Sequence, residues 1–174
     1  MRRADAGRAA QYRALVASPG RRVAGISWRS FQGRDRARLE ATKSAPLAAF
    51  ALLAARKDLR LLDLQYGDTA AERAAFGAEL VRIDGLDCFE DLDGVLAAID
   101  ACDVVVTTSS VTAHLAGASG KETYLVYLRG IAPFHYWATD AAGRCRWYPS
   151  VRIVTGANVD SWARAIELVD GLLG

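Results

Sequence analysis

Apolar runs without polar alternation recur along the chain, and segments of helical period lie between them. The runs at 23–28 (VAGISW), 59–66 (LRLLDLQY), 81–83, 103–107, 123–128 (TYLVYL) and 151–154 (VRIV) predict buried strands. The spacing predicts a first helix over 5–17, where Ala9, Tyr12, Leu15 and Val16 share a face and Pro19-Gly20 ends it. A second is expected over 45–57 (APLAAFALLAARK), with Ser44 as N-cap and Pro46 in the first turn. Thr69 and Glu72 have capping-box spacing and predict a helix to about residue 80. Asp91 or Asp93 opens the next, to about residue 101, and another covers 110–118. The last spans 159–173, with Trp162, Ile166, Val169 and Leu173 on one stripe. Residues 129–150 carry no period.

Strands without alternation, separated by helices, predict a parallel sheet covered on both faces. The fold class is therefore α/β, a three-layer α/β/α Rossmann-like domain. Such sheets bind ligands beyond the carboxyl ends of their strands. The loops of interest are then 28–44, 65–69, 84–91, 107–112 and 129–149.

Composition adjusts this picture only slightly. The chain has 174 residues, about one domain, with 52% hydrophobic and 24% charged residues. Its 22 basic and 20 acidic residues leave a formal charge of +2 and are mixed along most of the chain, so nothing in it looks like a nucleic-acid footprint. One basic run holds Arg29, Arg34, Arg36, Arg38 and Lys43 against Asp35 and Glu40; it suits a small anion, or is simply a solvated loop. Cys88, Cys102 and Cys145 lack metal or pairing spacing and read as reduced thiols of a cytoplasmic protein. No apolar run reaches the length of a membrane span.

The chemistry concentrates at the predicted strand ends. In VVVTTSSVTAHLAG (104–117), four hydroxyls end a strand and begin a helix. Free N–H groups and the positive end of the helix make that place an anion site. Ser109, Ser110 and Thr112 add donors, and His114 follows within about a turn. Simple N-capping is the plain alternative, although one cap needs one hydroxyl. Ser27, Arg29, Ser30 and Lys43 follow the first strand and face the same crevice as phosphate ligands, or are ordinary polar loop residues. Gln65, Tyr66, Asp68 and Glu72 follow the second strand. They suit a base and a ribose, with capping sufficient to explain Glu72. The aromatic loop 129–149 is either functional or apolar cover for the sheet edge. GASGKET (117–123) fails as a phosphate-binding P-loop, because its first glycine is missing and a strand follows it. Capping explains Asp91 and Asp93 better than metal binding does.

CDVVVTTSSVTAHLAGASGK (102–121), GISWRS (25–30), LQYGD (64–68) and WYPSVR (147–152) together resemble the C-terminal region of bacterial tetratricopeptide-repeat glycosyltransferases. That region is similar to the family-nine heptosyltransferases and, more distantly, to O-linked N-acetylglucosamine transferases. The resemblance covers roughly residues 20–170. It implies one half of a B-type glycosyltransferase fold: a linker helix over 1–20, then a nucleotide-sugar-binding domain over 21–174. The family's D-[ST]-G-x-x-H motif falls on Ser109, Ser110, Val111 and His114, so the acid is replaced by Ser109 and the glycine by Val111. Ser27, Ser30 and Lys43 fall near the family's phosphate ligands, and Asp68 or Glu72 near its ribose-binding acid. His114 is the residue placed nearest the chemistry. The resemblance implies hexosyl or heptosyl transfer from a nucleotide-sugar without a metal or other cofactor. An N-terminal Rossmann or tetratricopeptide-repeat domain, in cis or in trans, would complete the enzyme. The chain alone is then expected to turn over weakly or not at all. A non-catalytic interaction module built on the same fold is the rival reading.

Overall fold

The computed structural model of the chain describes residues 3–30, 43–129 and 134–174. Arg34, Arg36 and Arg38 of the basic run lie outside the described residues.

Five parallel strands form one sheet: β1 (Arg22–Ser27), β2 (Leu59–Asp63), β3 (Val104–Thr107), β4 (Thr123–Val126) and β5 (Val151–Val154), in the order β2-β1-β3-β4-β5. All four pairings are parallel. The central strands are buried on both faces, which explains their unbroken apolar runs. The run at 81–83 forms no strand. It contributes a single parallel bridge, Leu62 to Val81, at the sheet's edge.

Helices cover both faces. On one side a 3-10 turn (Leu47–Phe50) runs into α2 (Ala51–Ala54), which packs with α6 (Trp162–Leu173) on Ile26, Leu61, Val106 and Val126. On the other, α1 (Ala6–Val16), α4 (Leu92–Ala101) and α5 (Val111–Ser119) cover Val23, Leu62 and Val105. Arg8 in α1 pairs with Asp91, which caps α4 by accepting from the Gly94 N–H (2.8 Å), so α1 is docked on the domain.

Two predicted caps are corrected. Ser44 caps nothing; its hydroxyl accepts from the Ser30 N–H at 3.2 Å, and the following helical turn starts after Pro46. The Thr69–Glu72 capping box does not form, because Glu72 is drawn to Trp28 and Arg29 instead. Asp68 accepts from the Ala70 N–H in its place (3.2 Å). Helix α3 spans only Ala70–Ala75, since Gly77 takes a left-handed φ of +68° just beyond it.

Candidate functional site

The sheet order reverses direction between β1 and β3. The chain steps outward from β1 to β2, and from β3 onward it steps the other way. The carboxyl ends of these two strands lie side by side, with Ser27 opposite Thr107. A crevice at such a switch point is where α/β sheets take ligands. The two polar loops singled out in the sequence therefore meet there.

On the β1 side, Gln65 from the end of β2 holds the rim together. Its Oε1 accepts from the Ser27 hydroxyl (3.1 Å) and from the N–H groups of Trp28 (2.8 Å) and Arg29 (2.7 Å). Its Nε2 donates to the Arg29 and Tyr66 carbonyls. The amide is thus engaged within the protein. Arg29 and Glu72, read separately from the sequence, are paired with each other, and Glu72 also accepts from Trp28 Nε1 at 2.6 Å. Ser30 is buried and Asp68 is exposed.

Lys43 differs from these. It is 5% exposed, and its ammonium sits 3.9 Å above the centre of the Phe134 ring. Among the described residues it forms no ion pair or hydrogen bond. Burial lowers its pKa. A buried cation whose neighbour is an aromatic face keeps a cation–π contact, and the described residues bring it no counter-charge.

On the β3 side, all of the hydroxyl block is buried. Thr107 Oγ1 donates to its neighbour's carbonyl (3.0 Å), so the Ser110 hydroxyl is the donor in their 3.2 Å contact. Ser110 is the N-cap of α5 but makes no side-chain cap bond. Ser109 accepts from Trp137 Nε1 at 3.0 Å. Among the described residues the buried Thr108 hydroxyl has no partner, and the buried Tyr127 hydroxyl has at most a poorly aligned contact with Ser109. Burial pushes the Tyr127 phenol up to about 12, with Ser109 moderating the rise. Thr112 is buried in the first turn of α5, and Val111 is exposed.

His114 stacks on Trp137 (centroids 4.5 Å apart) and meets Tyr136 and Tyr148 edge-on. Its Nδ1 lies 3.3 Å from the Tyr148 hydroxyl. Burial lowers its pKa, which keeps the ring neutral at physiological pH.

Beyond the end of β2 lies a cavity of about 420 Å³, bordered by Gln65, Tyr66, Arg73, Arg82, Asp87 and Cys88. Below it, Asp63 is buried, and desolvation raises its pKa. Arg73 and Arg82 approach its carboxylate at 3.5 and 3.8 Å. These residues were missed in the sequence, although a lone aspartate inside an apolar strand run is itself a signal. Among the described residues no group of acidic, histidine or cysteine side chains is arranged to hold a metal ion. No helix there is long and apolar enough to cross a membrane.

Comparison with known proteins fixes the fold. The chain aligns with the glycosyl transferase family 9 structure from Veillonella parvula at TM-score 0.61 and 11% identity, covering 96% of this chain and 51% of that one. With E. coli ADP-heptose lps heptosyltransferase II the values are 0.60 and 15%, covering 98% and 52%. With E. coli heptosyltransferase WaaC, solved with ADP, they are 0.54 and 13%, covering 94% and 48%. The chain shares its fold with about half of each of these transferases. In sequence it is 30% identical over 165 residues to Protein FlbA of Caulobacter vibrioides, across 91% of this chain but 26% of that protein. No family model matches the chain.

Proposed function

We propose that this chain binds the nucleoside diphosphate part of a nucleotide-sugar at the β1/β3 switch point. The observation that carries the proposal is Lys43, a buried ammonium on the rim beyond β1 that has no anionic partner among the described residues. Phosphate oxygens would face Lys43, Ser110, Thr112 and the first N–H groups of α5. The nucleoside would extend past Tyr66 and Gly67 into the 420 Å³ cavity, with the exposed Asp68 next in the chain. Gln65 and the Arg29–Glu72 pair hold the wall that the ligand lies against. In a completed enzyme, the sugar's anomeric carbon would be attacked by an acceptor hydroxyl while the diphosphate leaves. Lys43 and the helix N–H groups would meet the charge that develops on it. A further domain, in cis or in trans, would supply the acceptor site and the base.

Calorimetric titration with ADP, UDP, GDP and CDP tests the proposal. At least one should bind, and Ser110→Asp should abolish binding by setting a carboxylate against the phosphate. Absence of binding by all four at millimolar concentration refutes it. The rival, a non-catalytic interaction module on the same fold, draws on Trp137, which closes over Ser109 and occupies part of the hydroxyl rim.

A further inference from the structure

At the opposite rim, where β4 and β5 begin, two open clefts of about 340 and 510 Å³ share a floor of Gly120, Pro149 and Ser150. The first contains Arg144 and Arg152. These two face each other in an antiparallel bridge. The flanking bonds run from the Cys145 N–H to Val151 O and from the Ile153 N–H to Gly143 O. That pattern makes Arg144 and Arg152 a non-hydrogen-bonded pair, the closer of the two cross-strand spacings, with Cα atoms about 4.5 Å apart. Like charges placed so are destabilising unless an anion lies between them. Among the described residues neither forms an ion pair. Glu122 lines the same cleft, but its carboxylate already serves Arg22 (3.5 Å) and the Tyr124 hydroxyl (3.0 Å). The Ser150 hydroxyl is buried and has no hydrogen-bond partner among the described residues.

The second cleft is apolar. Trp147, 70% exposed, stands over it. Its base is the end of α5, where Gly117 packs so tightly on the Tyr148 ring that a Cβ there would lie 2.6 Å from it. An unpaired cation pair thus adjoins an exposed indole along one continuous groove.

We propose that this rim docks an extended acidic peptide segment of a partner protein. A carboxylate of that segment sits between Arg144 and Arg152, and an adjacent apolar side chain lies against Trp147. The charge pair selects the acidic residue, and the apolar cleft explains why a peptide fits better than a simple anion. The groove lies at the rim opposite the nucleotide crevice, so an occupant leaves that crevice free.

The test uses a short fluorescein-labelled peptide alternating Glu and Phe, its Lys-for-Glu counterpart, and free citrate. The acidic peptide should bind saturably and shift Trp147 emission, a shift that Trp147→Phe removes. Arg144→Gln or Arg152→Gln should weaken it about tenfold. The double variant Arg144→Glu/Arg152→Glu should prefer the lysine peptide, an exchange of specificity that a misfolded protein cannot produce. Failure of the acidic peptide to saturate, indifference to both glutamine variants, or equal binding of citrate would overturn the proposal.

Discussion

The side-chain amide of Gln65 does more for the rim than its place in a polar loop suggested. It satisfies the Trp28 and Arg29 N–H groups and the Ser27 hydroxyl at once. Gln65→Leu leaves those buried donors without an acceptor, and each orphan costs about 1–3 kcal/mol. Urea unfolding should show a loss of about 2–4 kcal/mol, since local relaxation recovers part. Lys43 behaves in the opposite sense. Its folded-state pKa lies below the unfolded one, because burial disfavours the charge. In the window between the two values the unfolded chain binds the extra proton, so this group's contribution to stability rises with pH there. Lys43→Met should leave stability unchanged or raised while removing diphosphate binding. A bound diphosphate favours the ammonium and raises its pKa. Titrations in that pH window, in buffers of different ionisation enthalpy, should therefore show proton uptake in the native protein and none in Lys43→Met.

Between elements, the α1–α4 contact offers a test of electrostatics. Hydrogen bonding to Arg8, and then to the Gly94 N–H, holds the Asp91 carboxyl below the usual carboxylate range. The folded pKa is the lower one, so the contribution is complete above the unfolded pKa and disappears as pH falls through the folded value. Both side chains are about one-third exposed (33% and 32%), so Arg8→Ala should cost no more than about 1 kcal/mol. Asp91→Ala also removes a helix cap and should cost about 1–2 kcal/mol. Acid unfolding of Arg8→Ala should begin at higher pH than in the parent protein. The elements joined here were legible because each obeys a local rule: β1, β3 and β4 are apolar on both faces, and Asp91 caps the helix it precedes. The segment at 81–83 misled because a short apolar run at a sheet edge needs only one bridge to be buried. The capping box of α3 failed to form because Glu72 found partners 43 and 44 positions away, a contact local spacing cannot show. The site divides the same way. The hydroxyl block at 107–110 announces a strand end by itself. The pairing of Arg29 with Glu72 and the seat of Lys43 on Phe134 depend on how distant loops fold together.

The described residues form one sheet with a core on each face, and the crevice is built on β1 and β3, which like β2 contribute to both cores. A ligand there touches the ends of β1 and β3 and the start of α5. Opening of the sheet should therefore abolish its site, so that only the folded chain binds it. Under that coupling, ligand binding raises global stability by RT ln(1 + [L]/Kd). A nucleoside diphosphate with a Kd of about 0.1 mM, supplied at about 1 mM, contributes about 1.4 kcal/mol. For a domain of this size each kcal/mol moves the midpoint by about 2–4 °C, so thermal unfolding should shift upward by about 3–6 °C. The shift should appear equally in far-ultraviolet circular dichroism, which reports the helices on both faces, and in tryptophan emission, which includes Trp28 and Trp137 beside the crevice. A rise in the emission midpoint alone would mean that the rim opens separately from the sheet, and the coupling argued here would fail.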